Sequence, residues 1–297
     1  MPRYALMIAY DGTNFCGWQK QEPPGDAAGS PAVPESKVLD RREGDGRIVL
    51  RTVQEVVERA VREVVREPVV LLGASRTDSG VHARGQVAAF TTTPEGKGRG
   101  WPSERGTEPL VRAINSRLPP DVMVLEAHAA PEGFDPIGDC TGKAYTYTVL
   151  LSEQRPLWSR RWVAHQRGVL DVAAMARGAK DLVGEHDFAA FAAAGHGRQT
   201  TVRRIVSVTV EEGPSLLDAG REVRMRFHGT GFLYNQVRIM AGTLVEIGRG
   251  KVEEGAIAEI LASCDRSKAG PTMPPEGLCL ERIWYADEHG RPLFVKE

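Results

Sequence analysis

The sequence predicts an α+β fold of two fused halves forming one mainly antiparallel sheet, with helices on one face and a cleft between the halves. Three observations predict it. A strand, helix, strand, strand, helix, strand order of apolar patterns runs through residues 1–131 and a similar order starts again in residues 132–297. Each half thereby follows the ferredoxin-like, split βαβ plan. The length of 297 residues exceeds one typical domain yet suits two such halves, and 41% hydrophobic with 26% charged residues is an ordinary globular composition.

The elements follow in order. Residues 3–10 (RYALMIAY) read as a buried strand, and Val53, Val56, Val57, Ala60, Val61, Val64 and Val65 recur at helical spacing. An apolar run at 69–74, the segment VHARGQVAAFTT, a short helix with Leu110, Ile114 and Leu118, and the run VMVLEAHAA complete the first half. The second half opens with KAYTYTVLL, where Tyr145, Tyr147 and Val149 share one strand face. A helix with Val172, Met175, Ala176, Ala179 and Val183 comes next, then strands RIVSVTVEE and REVRMRF. A helix with Val237, Met240, Ala241, Leu244 and Val245, a shorter one around Ile257, Ile260 and Leu261, and the strand GLCLERIWY close the series. Residues 22–50, rich in Gly, Pro and mixed charge, interrupt the first strand-helix unit and are expected to be a mobile surface insert. A smaller Gly- and Pro-rich stretch at 94–109 reads the same way.

Several function classes are excluded at this level. No apolar run approaches the roughly 20 residues of a membrane helix, and the N-terminus enters a strand pattern at once without a signal or transit pattern. A cytoplasmic location is expected. Cys16, Cys140, Cys264 and Cys279 are far apart and form no C-x-x-C pair, which disfavours both a zinc site and a disulfide framework. The net charge of −1 excludes recognition of nucleic acid by bulk charge but leaves room for a local basic cleft. Phosphate loops, dinucleotide fingerprints, nucleophile elbows and zincin motifs are absent. Ala9-Tyr10-Asp11-Gly12-Thr13 has Ala9 where a D-x-D-G-T phosphatase needs its nucleophile, so it reads as a strand-ending turn.

The run GASRTDSGVHARGQVAAF differs from a plain hairpin, because Arg76-Thr77-Asp78 puts charge between two apolar strand-like segments. A buried charge demands a partner. Arg76 is suited to hold the Asp78 carboxylate ionised while Gly80 lets the chain turn, an arrangement fit for a nucleophile. A structural ion pair in a loop explains the same pattern equally well.

These residues do not stand alone. IAYDGTNFCGWQKQ, RTVQEVVERA, GASRTDSGVHARGQVAAF, INSRLPPDVMV, KAYTYTV, LVGEHDFAAF with TVRRI, GTGFLYNQVRIMAGTLVEIG and PEGLCLERIWY occur in that order. With them the chain resembles the TruA family of tRNA pseudouridine synthases over nearly its whole length. The resemblance implies Asp78 as nucleophile, Arg76 as its neighbour, Tyr145 as a base-stacking residue, Arg238 as a cleft cation near Asp78, and Leu278 as a pocket-lining residue. It also implies a homodimer that acts on tRNA in the anticodon stem-loop, at positions 38, 39 and 40. Uracil would be detached from its ribose, turned and rejoined through C5, with no metal and no organic cofactor. Two departures from the family pattern stand out: Phe134-Asp135-Pro136-Ile137-Gly138-Asp139-Cys140 replaces an Arg-containing run, and the 22–50 insert is long.

Lesser signals are weighed against plain alternatives. Arg155, Arg160, Arg161 and Arg167 with Trp158 and Trp162 suit phosphate contact and stacking, or simply a solvated basic face. In REVRMRFH, burying Val223, Met225 and Phe227 leaves Arg224, Arg226 and His228 as a basic outer face. His186 reads as a capping or packing residue, and His82 as an orienting neighbour of Asp78.

Overall fold

The structure, a computed structural model, describes residues 1–29, 33–41, 46–94, 98–193, 199–286 and 292–294. In chain order the strands and helices begin with β1 (Arg3–Tyr10), β2 (Val38–Arg41), β3 (Ile48–Leu50), α1 (Val53–Val65), β4 (Leu72–Gly73), β5 (His82–Thr91), α2 (Thr107–Asn115) and β6 (Val122–Ala130). They continue with β7 (Cys140–Leu151), β8 (Ala164–Gln166), α3 (Val172–Gly178), β9 (Gly184–Asp187), β10 (Val202–Pro214), β11 (Arg221–Gly229), α4 (Gln236–Gly248), α5 (Ala256–Ser263), β12 (Leu278–Ala286) and β13 (Pro292–Leu293). The α+β class and the mainly antiparallel strand pairing expected from the sequence are both present.

The chain divides into two compact units, one of residues 1–141 with 282–297 and one of residues 142–281. In the first, β1 is the central partner, antiparallel to β5 (Leu6↔Ala88) and to β6 (Leu6↔Ala127). Tyr4, Leu6, Ile8 and Tyr10 alternate inward along β1, as a strand with one buried face requires. Helix α1 starts at Thr52, whose side chain accepts the Glu55 N–H. Its buried Val53, Val57, Ala60, Val61 and Val65 form one apolar stripe. Helix α2 packs on β6 and on α1. In the second unit the order is β7-β11-β10-β9, antiparallel throughout, with short β8 parallel to β7. Val223, Met225 and Phe227 face Val149, Tyr147 and Tyr145 across β11 and β7, all buried. Helix α3 packs on α4 and β10.

Three expectations are corrected. The division expected between residues 131 and 132 falls between 141 and 142 instead, and the chain end returns to the first unit. Contacts explain both: Arg3 Nε donates to the Phe134 carbonyl at 2.7 Å, the Tyr285 hydroxyl donates to the Pro136 carbonyl at 2.7 Å, and the rings of Phe134 and Tyr285 meet edge-on. Residues 22–50 carry more structure than a loop, since β2 and β3 pair and Ile48, Val49 and Leu50 are buried. Of that stretch, residues 30–32 and 42–45 lie outside the described residues. The helix expected to reach Val183 ends as α-helix at Gly178 and tightens to a 3₁₀ turn over Ala179–Leu182.

Candidate active site

The Asp78 turn is pinned on both sides by side chains from elsewhere in the first unit. On the side leading in, Gln86 of β5, fully buried, donates from its amide to the Ser75 carbonyl at 2.6 Å and accepts the Ser75 N–H at 3.2 Å. Thr77 is held twice: its carbonyl accepts the Trp18 N–H at 3.0 Å, and its hydroxyl lies 2.7 Å from that of Tyr10. Asp78, half-buried, opens the turn, which the Val81 N–H closes onto the Asp78 carbonyl at 3.1 Å. Gly80 has φ 85°, the positive value that a type II turn demands at its third residue. Ser79 donates to the Phe15 carbonyl at 3.0 Å, and the Lys37 ammonium reaches both that carbonyl and the Ser79 hydroxyl, at 3.0 and 2.9 Å. Gly17 sits so close that a Cβ on it would lie 2.6 Å from the Thr77 carbonyl oxygen, and its φ is 83°.

The AYDGTNFCGW segment and the RTDSGVH segment are thus brought together as one structure. His82 belongs to it. Its Nδ1 accepts the Gly12 N–H at 3.0 Å. The same Nδ1 lies 3.3 Å from Asp11 Oδ1. An orienting role for His82 fits this geometry. Arg76 differs from expectation: its side chain is exposed and, among the described residues, forms no ion pair, so the local Arg76–Asp78 partnership is not made.

The other three residues lie in the second unit, two of them, Arg238 and Leu278, at the segment 273–278. Arg238, in the first turn of α4, donates from Nε to the Met273 carbonyl at 2.7 Å and from Nη1 to the Asn235 side-chain oxygen at 2.8 Å. Asn235 precedes the helix in the left-handed region, φ 60°, which Asn tolerates better than most residues. Tyr147 of β7 donates to the Pro274 carbonyl at 2.7 Å, and its burial drives the phenol far above the ordinary value. Gly277 lies against the Tyr147 ring, where a Cβ would come within 2.7 Å. Leu278 follows directly and is buried. Tyr145 lies on the same strand face as Tyr147, only 6% exposed, with its ring edge-on to Phe232 at 5.2 Å.

Sequence reasoning missed Gln86, Lys37, Thr77 and Asn235. Asn235 carried a signal, being a cap-type residue directly before an apolar helix period. Lys37 carried none, since its partners are 22 and 42 residues away. The basic face of β11 turns out to be neutralised, with Arg224 on Glu222 and Arg226 on Glu211. Trp158 and Trp162 are exposed on a loop fastened by Asp218, whose carboxylate accepts the N–H groups of Leu157, Trp158 and Ser159. These bonds, with the Ser159 hydroxyl foremost, hold that carboxyl well below the usual range. His186 packs against Phe188. Among the described residues, no three His, Cys, Asp or Glu side chains assemble as a metal-binding group, and no helix is long and apolar enough to cross a membrane.

Comparison with known proteins adds the following. Residues 179–286 match a family model described as tRNA pseudouridine synthase. The chain is 41% identical over 280 residues to tRNA pseudouridine synthase A of Geobacter sulfurreducens, covering 94% of this chain and 98% of that protein. It is 37% identical over 285 residues to tRNA pseudouridine synthase A 2 of Clostridium perfringens, covering 96% of this chain and 100% of that protein. With the Geotalea daltonii tRNA pseudouridine synthase A it shares 38% identity over 285 residues, covering 96% of this chain and 100% of that protein.

Proposed function

Since the chain belongs to the tRNA pseudouridine synthase A family, we propose that it isomerises uridine to pseudouridine at positions 38, 39 and 40 of the tRNA anticodon stem-loop, with Asp78 as nucleophile. The class, an isomerase acting on tRNA, follows from the family; the positions and the nucleophile are the proposal. One observation supports Asp78 most: it is a half-buried carboxylate on a turn whose neighbours Ser75, Thr77 and Ser79 are each fastened by a different distant element. Such fixing is what a group that must meet one atom of an extruded nucleotide needs.

The reaction breaks the N1–C1′ bond and makes a C5–C1′ bond, with no atom gained or lost overall. Either attack, on the base or on the sugar carbon, requires an ionised carboxylate close to the nucleotide. In this reading Tyr145 is the base-stacking residue, Leu278 an apolar wall, and Arg238 a cation whose guanidinium is already held by Asn235 and Met273. Arg76, exposed on the turn, takes the part of a substrate contact in this reading. The enzyme is read as cytoplasmic and homodimeric.

Pseudouridine mapping on tRNA treated with pure protein tests the proposal. Wild type should modify positions 38 to 40, and Asp78→Ala should give no product while retaining tRNA affinity, because binding is spread over many phosphates. Product from Asp78→Ala at a rate near wild type removes Asp78 as nucleophile, and modification confined to other positions removes the assigned site.

A further inference from the structure

A cavity of about 380 Å³ opens in the first unit, lined by Glu63, Arg66, Arg99, Trp101, Arg105 and Arg117 among others. It is separate from the Asp78 turn. The first residue of α1, Val53, donates its N–H to Gly17, which touches that turn, whereas the pocket takes Glu63, Val64 and Arg66 from the other end of the helix. Thirteen residues at 1.5 Å each make the separation about 20 Å.

Four arginines against one glutamate leave a surplus of three positive charges in a chain whose net charge is −1. Glu63 is already engaged with Arg117 at 3.4 Å. Arg66, Arg99 and Arg105 form no ion pair within 4 Å among the described residues, although Arg99 lies near enough to Glu67 to help hold that carboxyl below its ordinary value. The Arg105 guanidinium carbon lies over the Trp101 ring, 4.4 Å from its centroid, a cation–π contact. Arg66 stands in the left-handed region, φ 56°, at the end of α1, where glycine is the residue of least cost. Pro109 and Ala113 of α2, with Arg117 just past its end, line the cavity along the side of the helix. A plain account, arginine offsetting the dipole at the end of α1, covers Arg66 alone; Arg99 and Arg105 come from the connection before α2.

We propose that this pocket binds the phosphate group of a nucleotide-sized ligand, with Arg66, Arg99 and Arg105 as its donors. The volume suits one nucleotide and the donors are the type that pairs with phosphate oxygens. The phosphate belongs either to a free nucleotide or to RNA, and the two sources are separable.

The full-length protein is titrated with inorganic phosphate and with AMP, at ionic strength held constant with chloride, and thermal unfolding and calorimetric binding are followed. Both ligands should stabilise wild type, and Arg99→Glu with Arg105→Glu should weaken AMP binding about tenfold or more. Arg99→Gln, which leaves the Trp101 stack intact, should weaken it in the same direction and guards against a folding defect in the double variant. A raised KM for tRNA with unchanged kcat in the double variant, and competition between AMP and tRNA, identify RNA as the source. An unchanged KM identifies a free nucleotide. Stabilisation no greater than with chloride, or AMP binding undiminished in both variants, overturns the proposal whatever becomes of Asp78.

Discussion

Arg238 is fastened to the Met273 carbonyl and the Asn235 side chain by two of its nitrogens, so its position is set before any substrate arrives. Arg238→Met keeps much of the length and loses the charge. If the guanidinium steadies developing charge on the substrate, single-turnover rate should fall about a hundredfold, some 3 kcal/mol, and the double variant with Asp78→Ala should be little worse than Asp78→Ala alone. Full rate with weakened affinity makes Arg238 a phosphate contact instead. Cys16 offers a second test at this scale. Burial raises its thiol above the ordinary value, against a smaller opposing effect from Lys37, so the folded chain keeps a proton that the unfolded chain releases first as pH rises. Stability from this group is therefore present below the unfolded thiol value and lost above it. Iodoacetamide in mildly alkaline buffer should label exposed Cys264 well before Cys16, read by peptide mass spectrometry, and equal labelling contradicts the burial.

At the scale of elements, most strands and helices were legible because their apolar periods are uninterrupted, as along β1, α1 and α4. The Asp78 run was legible too, since charge between two apolar strands is a local anomaly. What holds that run was not: Gln86, Tyr10 and Lys37 reach it from 11, 67 and 42 residues away, and no period encodes such pairings. The hairpin of β2 and β3 was missed for a related reason. Its buried part is the three residues Ile48–Leu50, too short to display a period within a Gly- and Pro-rich setting. Removal of residues 24–46 should leave a folded protein, since those three remain, but it takes away Lys37 and its bonds to Ser79 and Phe15. We expect kcat to fall several-fold with near-native circular dichroism, and Lys37→Ala alone to reproduce the loss in the same direction. Unchanged kcat in both variants means Lys37 does not steady the turn.

Whole-molecule properties were the least legible. Nothing in composition marks the boundary at residue 141, and the return of the segment after residue 281 to the first unit rests on long-range contacts such as those of Tyr285 with Phe134 and Pro136. Dimerisation is likewise expected from family resemblance and not from any pattern in the residues. Sedimentation velocity at working concentration should show a species of twice the 32.4 kDa chain mass, and monomer alone removes that part of the reading.

The passage of β12 out of the second unit and into the first has a consequence for synthesis. Because Tyr285 completes the packing around Phe134 and Pro136, the first unit waits for residues 282–286, which are made only after all of residues 142–281. Such end-to-end closure raises contact order and slows folding. The nascent chain must therefore remain soluble with its first unit unfinished through the translation of residues 142–281, so premature termination in that stretch would yield an aggregation-prone fragment and not a stable half-enzyme.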